Sequence, residues 1–358
     1  MMKKIGILTS GGDCPGLNTA IKAMVQHCEL QGLQPIGIRY GTNGLLARPV
    51  DTVALESGNH PYGLDWWRQG GTVLGTTNKG NPFSPSTTGK TTNYSSEIIE
   101  GLKKTGVEGL IAIGGDGSLD ILYRLSQQGP FNLVMVPKTI DNDVGGTEIA
   151  IGHDTAVMVA TTALDDLKPT AASHSRIMVL EVMGRGTGHI ALSCGIAGGA
   201  DVILIPEIPY HLPNITQHIQ KIQKSGRNFA LVVVAEGLKK EPAKKTFSQH
   251  DAATDLGIGQ YLVEKLEKST GMESRVTVLG HVQRGAPPNA RDRLLAATYG
   301  VHAVELAVQN KWGRLVIWKN NQVDHIPLAG LSPQQAQATL NSSLVNTARG
   351  LGICLGDM

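Results

Sequence analysis

The chain has 358 residues, 41% of them hydrophobic and only 4% aromatic, and its 32 basic against 30 acidic residues leave a formal charge of +2. That content suits roughly two packed domains and excludes a disordered chain, while near neutrality and scarce aromatics exclude a basic nucleic-acid binder and a base-stacking surface. Glycine, at 44 residues, stands well above the usual ~7% and promises many backbone turns.

In chain order, IGIL at 5–8 leads through Ser10, Gly11 and Gly12 into Leu17, Ile21, Met24 and Cys28. That spacing predicts a helix, stopped at Gly32. The stretch 78–92, rich in Gly, Pro, Ser and Thr, reads as a long loop. LIAI at 110–113 runs into GGDGS and a second helical pattern. Further apolar runs end at Pro137-Lys138-Thr139, Met183-Gly184-Arg185, Pro206-Glu207, Glu236-Gly237 and Gly280-His281. Short, continuous, β-branched runs suit strands of a parallel sheet buried on both faces. Alternation of strand, turn and helix predicts an α/β fold with a doubly wound sheet, whose ligands gather at the carboxyl ends of the strands. A domain junction is expected after Gly152, with the chain crossing back near Gln283. None of Cys14, Cys28, Cys194 and Cys354 forms a CxxC pair or zinc spacing, and Cys28 and Cys194 fall in apolar helical patterns expected to bury free thiols. The apolar stretch near the N-terminus is too short for a signal peptide, and no apolar run approaches ~18 residues, so a reducing cytoplasm and no membrane span are expected.

Three glycine-rich turns follow strands: Gly11-Gly12-Asp13, GGDGS at 114–118 and Gly184-Arg185-Gly186. Such turns let backbone N–H groups approach phosphate oxygens, although none has the spacing of a P-loop or dinucleotide fingerprint and each alone reads equally as a tight turn. Asp116 lies inside one of them, and a carboxylate beside phosphates calls for a metal ion between them. PKTIDND at 137–143 carries Asp141 and Asp143 two residues apart. In an extended segment both face one side, one to take a hydroxyl proton and one to hold Mg²⁺. An Asx-type turn is the other reading. Arg176, Arg185, Arg275, His281 and Arg284 lie beside strand ends, as phosphate ligands or as solvated charges. Glu236 suits a sugar hydroxyl or a lysine. His153, His189 and His302 have no supporting pattern and are read as structural, and Trp66-Trp67 as an exposed or half-buried pair.

Taken in order, LTSGGDCPGLNTAI, IGGDGS, PKTIDND, EVMGRGTGHIAL, IPE, AEG and VLGHVQRGAPPNARDR resemble the 6-phosphofructokinase family over nearly the whole chain. The resemblance implies transfer of a phosphoryl group from ATP to the 1-hydroxyl of fructose 6-phosphate, giving the 1,6-bisphosphate, with Mg²⁺. It implies two doubly wound domains with mainly parallel sheets and the active site in the cleft between them. These would be residues 1–152 with 283–332 for the phosphoryl donor, and 153–282 with 333–358 for the sugar phosphate. Asp141 would be the general base, Thr139 would hold the transferring group and Arg185 would stabilise its charge. Asp116 and Asp143 would serve Mg²⁺. Gly12, Asn78, Lys79, Gly115, Asp116, Gly117 and Ser118 would hold the donor. Thr139, Ile140, Asp141, Met183, Gly184, Arg185 and Glu236 would contact the sugar, and Arg176, Arg275, His281 and Arg284 its 6-phosphate. Residues matching Arg176 and Arg275 reach in from a neighbouring subunit in the family, which implies a homotetramer in the cytoplasm, with no nucleic-acid or membrane partner. An allosteric effector site is also implied. Lys22, Lys168, Asp201 and Arg227 match it, but Gln26 and Ser225 stand where cations are usual, so a weak response to ADP is expected.

Some residues bear on the donor. Lys138 is typical of pyrophosphate-dependent members, whereas Gly117 stands where those members usually carry Asp. Asn78 and Ile121 replace the Arg and the small Gly common in ATP users. ATP is the expected donor and pyrophosphate the alternative. A lipid or NAD kinase shares the GGDG turn but does not account for the other motifs. A non-catalytic protein of the same fold would have lost one of the named acids or arginines, and none is lost.

Overall fold

β-branched runs become strands and the 3–4-spaced apolar repeats become helices, sorted into two units: Met1–Thr155 with Arg284–Gln335, and Ala156–Gln283 with Ala336–Met358. The computed structural model describes residues 3–58, 63, 65–78, 81–83, 93–129, 131–241, 256–331 and 342–357. Most of the expected loop at 78–92, including Lys79, lies outside the described residues.

The chain begins β1 (Lys4–Ser10), α1 (Leu17–Leu30), β2 (Gln34–Ile38), α2 (Thr42–Leu46), β3 (Thr52–Ala54), α3 (Ser95–Thr105), β4 (Gly109–Gly114), α4 (Asp116–Gln128) and β5 (Asn132–Pro137). Next come α5 (His153–His174), β6 (Ile177–Val182), α6 (His189–Ala197), β7 (Val202–Leu204), α7 (Leu212–Lys224), β8 (Ala230–Ala235), α8 (Ile258–Thr270) and β9 (Ser274–Val278). It ends with α9 (Val282–Gly285), α10 (Ala290–Val308), β10 (Arg314–Lys319), β11 (Gln322–Pro327) and α11 (Ser343–Gly350).

In the first unit seven strands run in the order β11-β10-β5-β4-β1-β2-β3. The inner five are parallel, and β11 and β3 pair antiparallel at the edges. From β1 the chain winds outward to β2, and from β4 it winds the other way to β5. Strand order therefore reverses between β1 and β4, and loops diverging there open a crevice at the carboxyl ends. Registry aligns those ends, with Ser10 opposite Gly114 and Gly114 opposite Pro137. On one face Leu8, Leu110 and Ala112 of the sheet pack against Leu102, Leu119 and Leu122 of α3 and α4. Each fully buried leucine contributes about 1.5–3 kcal/mol relative to an exposed one. On the other face α1 packs on α10, closely enough that a Cβ at Gly300 would lie 2.8 Å from the Ala20 carbonyl oxygen.

In the second unit four parallel strands run β7-β8-β6-β9. Ile215 and Ile219 of α7 and Leu262 and Leu266 of α8 bury Val179, Val232 and Val234. β8 is buried throughout and β6 nearly so, as expected of central strands. β9 is the exception to burial on both faces: it lies at the sheet edge, and Val278 stays 59% exposed. Trp66 also departs from expectation, because it is buried. The free thiols of Cys14, Cys28 and Cys194 are buried and Cys354 is half-buried. No helix among the described residues is long and apolar enough to cross a membrane.

Candidate active site

Three loops leave the aligned ends of β1, β4 and β5. The first carries Gly11, which has φ +83°, a left-handed conformation natural to glycine. A Cβ there would sit 3.1 Å from both the Lys138 ammonium and the Ser118 hydroxyl. The second loop is Gly115, which precedes α4 and gives it no side-chain cap. The Ser118 N–H there donates to the Gly115 carbonyl at 3.0 Å, no side chain caps the turn, and the helix dipole favours an anion at this end. Gly117, in that turn, is exposed, and a Cβ built on it meets nothing within 4 Å. The third loop begins with Lys138, whose N–H donates to the Gly114 carbonyl at 3.0 Å.

Together these loops line a cavity of about 500 Å³. Gly11, Gly12, Asn78, Gly115, Asp116, Gly117, Ser118, Lys138, Thr139, Asp143 and Arg284 all face it. Lys138 is only 4% exposed, and its ammonium donates to the Gly12 carbonyl at 2.5 Å. Burial, above all, holds this ammonium below the usual lysine range. Arg284 reaches the same turn, donating from Nη1 to the Asp13 carbonyl at 2.8 Å. Two cations thus flank a glycine turn beside an uncapped helix start. Phosphate oxygens suit this arrangement of charge and N–H donors.

Acidic residues share the cavity. Burial first, and the nearby Asp143 and Asp120 carboxylates second, push Asp116 above the ordinary carboxylate range. A divalent cation relieves such crowding. Mg²⁺ is commonly held by one or two carboxylates, with phosphate oxygens and water completing its shell. No group of three His, Cys, Asp or Glu side chains able to hold a metal occurs among the described residues. The Asp116/Asp143 pair therefore fits an ion that arrives with phosphates rather than a permanently caged one.

The expected extended geometry of the TIDND segment is corrected. Asn142 has φ +50°, so Asp141 and Asp143 do not alternate along a strand. The Asn142 side chain closes a turn, accepting from the Ala150 N–H at 2.9 Å and donating to the Glu148 carbonyl at 3.0 Å. Asp143 and Thr139 line the cavity, whereas Asp141 is not among its walls. Asp141 is tied to it through Thr139, whose hydroxyl accepts the Asp141 N–H at 3.1 Å. The Ile140 side chain is fully buried, and its carbonyl meets His153 Nδ1 at 2.7 Å. Ser10, Thr42, Thr77 and Asn81 also line the cavity and were not expected. They are hydroxyl and amide residues, Ser10 ending β1, Thr42 opening α2 and Thr77 and Asn81 outside helices and strands, with no spacing to mark them. Ile121 faces the cavity from α4.

Residues expected at the sugar are divided by the second sheet. Met183, Gly184 and Arg185 follow the carboxyl end of β6, Glu236 that of β8 and His281 that of β9. Backbone contacts unite the first two loops: the Glu236 N–H donates to Val182 O at 2.9 Å and the Gly237 N–H to Gly184 O at 3.0 Å. Gly184 has φ +138°, and a Cβ there would lie 2.6 Å from the Thr187 carbonyl oxygen. Gln283, fully buried, accepts the Met183 N–H at 2.8 Å and so fixes this loop, a role its motif did not disclose. Arg185, Glu236 and His281 are exposed.

Arg176 and Arg275 lie at the opposite, amino-terminal ends of β6 and β9. Six residues of strand, at ~3.3 Å each, put about 20 Å between the two ends. Glu273 joins these arginines. It accepts from Arg176 Nη2 at 3.0 Å, lies 2.9 Å from Arg176 Nε as an ion pair, and pairs with Arg275 Nη2. The Arg176 guanidinium, chiefly, holds Glu273 below the usual carboxylate range. Of the residues matching the implied effector site, Asp201 pairs with Arg227, and Lys22 lies over the Trp67 ring, 4.3 Å from its centroid.

Residues 4–307 match the family model described as Phosphofructokinase. A protein of Synechocystis sp. named ATP-dependent 6-phosphofructokinase 1 is 50% identical over 99% of both chains. An ATP-dependent 6-phosphofructokinase of Chloroflexus aurantiacus is 42% identical over 99% of this chain and 98% of its own. Among solved structures, phosphofructokinase from Saccharomyces cerevisiae superposes with a TM-score of 0.76 and 29% identity, over 92% of this chain and 44% of that one. A pyrophosphate-dependent phosphofructokinase from Nitrosospira multiformis gives a TM-score of 0.81 over 99% of this chain and 93% of its own; at 20% identity that likeness is one of fold. Fold, ordered motifs and similarity over the full length agree: the chain belongs to the phosphofructokinase family.

Proposed function

We propose that this chain transfers the γ-phosphoryl group of ATP to the 1-hydroxyl of fructose 6-phosphate. One observation carries the reading. The crevice at the β1/β4 switch point combines an uncapped helix start, two flanking cations and a crowded carboxylate pair in one cavity. Phosphoryl transfer needs that combination, because positioning and charge neutralisation supply most of the catalysis. The full-length relatives named for ATP support the choice of donor.

In this reading the Gly11–Gly12 turn, Gly115, Gly117, Ser118, Lys138 and Arg284 hold the donor phosphates, with Asn78 at the nucleotide. Asp116 and Asp143 would hold Mg²⁺, which when bound neutralises phosphate charge. Asp141 takes the proton of the 1-hydroxyl as the new oxygen–phosphorus bond forms and the bond to the β-phosphate bridge breaks. Thr139 donates to the transferring group and Arg185 stabilises its charge. Met183, Gly184 and Glu236 read the sugar, and His281 contributes to the 6-phosphate site. Arg176 and Arg275, held together by Glu273 at the far ends of their strands, serve a second copy of the chain, consistent with a homotetramer. Reduced thiols suit a cytoplasmic enzyme.

The test is an assay with fructose 6-phosphate and Mg²⁺, run in parallel with ATP, ADP and pyrophosphate. ATP should give the bisphosphate fastest. Faster turnover with pyrophosphate at equal concentration would overturn the choice of donor, and no bisphosphate with any of the three would overturn the activity.

A further inference from the structure

Asp292 stands in the first turn of α10, and its carboxylate is completely buried. Both oxygens are used. Oδ1 accepts the Gly152 N–H at 2.9 Å, and Oδ2 accepts the Thr155 N–H at 2.8 Å and the Thr155 hydroxyl at 2.5 Å. The Thr155 hydroxyl in turn accepts the N–H of Asn289, whose side chain caps α10 by accepting the Asp292 N–H at 2.9 Å. All three groups facing the carboxylate are donors. A carboxylate satisfies them; an amide of the same shape would turn N–H toward N–H on one edge.

The turn that Asp292 clamps borders the reacting segment on both sides. Immediately before Gly152, the Ile151 carbonyl accepts the Thr139 N–H at 3.0 Å and the Ile151 N–H donates to the Pro137 carbonyl at 3.3 Å. Immediately after Gly152, His153 Nδ1 meets the Ile140 carbonyl at 2.7 Å. The backbone of 137–140, which presents Lys138 and Thr139 and leads into Asp141, is therefore hung from 151–153. That segment is pinned by Asp292 at 152 and 155. Gly152 cannot relax by itself: it has φ +105°, and a Cβ there would lie 2.6 Å from that of Cys14.

We propose that Asp292 is a positioning residue for phosphoryl transfer, setting the backbone of Thr139 to Asp141 through the clamped turn at 152–155. The proposal rests on the functional reading above for its effect on catalysis, but its structural half stands independently. A displacement of about 1 Å at reacting groups costs on the order of 10²-fold in rate.

The test uses the full chain with Asp292→Asn, and Thr155→Val as a milder variant that keeps the carboxylate. Asp292→Asn should lower kcat by roughly 10–10²-fold and change KM for either substrate little. Combining Asp292→Asn with Asp141→Asn should add almost nothing to the loss from Asp141→Asn alone, because both act on the same step. Full multiplication of the two losses, as from an unrelated folding defect, would overturn the proposal. Amide hydrogen exchange followed by mass spectrometry reads the structure whatever the reaction proves to be. In Asp292→Asn, and to a smaller degree in Thr155→Val, peptides covering 137–143 should exchange faster, while peptides covering 230–235 keep the parental rate. Unchanged exchange at 137–143 in Asp292→Asn, or equal acceleration in both peptides, would overturn the proposal. An unmodified chain inactive on fructose 6-phosphate would overturn the functional reading instead.

Discussion

Gly117→Asp separates stability from activity. The position lies in the first turn of α4, is exposed and has open space where a side chain would begin. The backbone accepts the substitution without steric cost. Loss of a helical glycine and an acid near the helix start each favour folding by about 0.3–1 kcal/mol, offset in part by the Asp116 and Asp120 charges close by. The melting temperature should stay within roughly 4 °C of the parent. Donor binding should respond in the opposite sense. At a carboxylate–phosphate separation of roughly 5 Å and an effective dielectric constant of about 20, repulsion costs about 3 kcal/mol for each unit of phosphate charge. One such unit lowers kcat/KM for ATP by ~10²-fold. Gly117→Ala is the control for bulk alone and should stay within roughly threefold of the parent. A coupled assay of fructose 1,6-bisphosphate formation, with calorimetric melting of all three proteins, supplies both readings. Were Gly117→Asp to keep the parental kcat/KM for ATP while folded, the phosphates could not lie over this turn, and the site would have to be rebuilt elsewhere.

Other perturbations probe the remaining parts. Asp141→Asn preserves shape and removes the proton acceptor, so kcat should fall by roughly 10²–10⁴-fold with substrate affinities little altered; rapid-quench turnover checks this. Lys138, with its pKa lowered by burial, carries the cation below its folded pKa and loses it as pH rises through that value. ATP affinity measured by calorimetry should therefore weaken at a pH below the usual lysine range, and Lys138→Met should abolish that alkaline loss. The unfolded chain binds the Lys138 proton up to a higher pH than the folded one, so this group's contribution to stability rises with pH through the window between the two values. Arg176→Ala chains mixed with Asp141→Asn chains should recover activity in hybrid oligomers; no recovery under conditions where the chains exchange would argue against sites shared between copies.

Much of the fold could be read because buried parallel strands are written as short β-branched runs: β4, β5, β6 and β8 coincide with such runs and are buried as expected. The edge strands β3 and β11 lack that signature. β9 carries Arg275 on one face and an exposed Val278 on the other, so only the run ahead of Gly280 reads as apolar. β10 and β11 are an antiparallel hairpin whose two-residue turn, Asn320 and Asn321, has both φ values positive. Asparagine tolerates that conformation, and paired positive φ values match the twist of a hairpin. Its only mark in the sequence is Asn-Asn between two strand-forming stretches, which does not follow the strand–turn–helix alternation of the rest of the chain.

At the site, the sequence disclosed which residue types carry chemistry but not which of them share a surface. The resemblance grouped Arg284 with Arg176, Arg275 and His281 at the 6-phosphate of the sugar. The fold sets it against the Gly12 turn that Lys138 also reaches, because α9 and the start of α10 return the chain to the first unit. Arg176, Arg275 and Arg185 each lie beside a strand end, yet strands have two ends. In a parallel sheet the turns from 183, 236 and 280 gather at one edge, while residues just before β6 and at the start of β9 gather at the other. Glu273 then becomes intelligible. Two guanidinium groups side by side would repel each other, and a carboxylate between them lowers that cost while leaving one positive charge and outward N–H donors. A pair so braced is ready for an anion supplied from outside its own sheet edge. In the proposed homotetramer that anion is the sugar phosphate bound by a second copy of the chain, which is what the mixing of Arg176→Ala and Asp141→Asn chains tests.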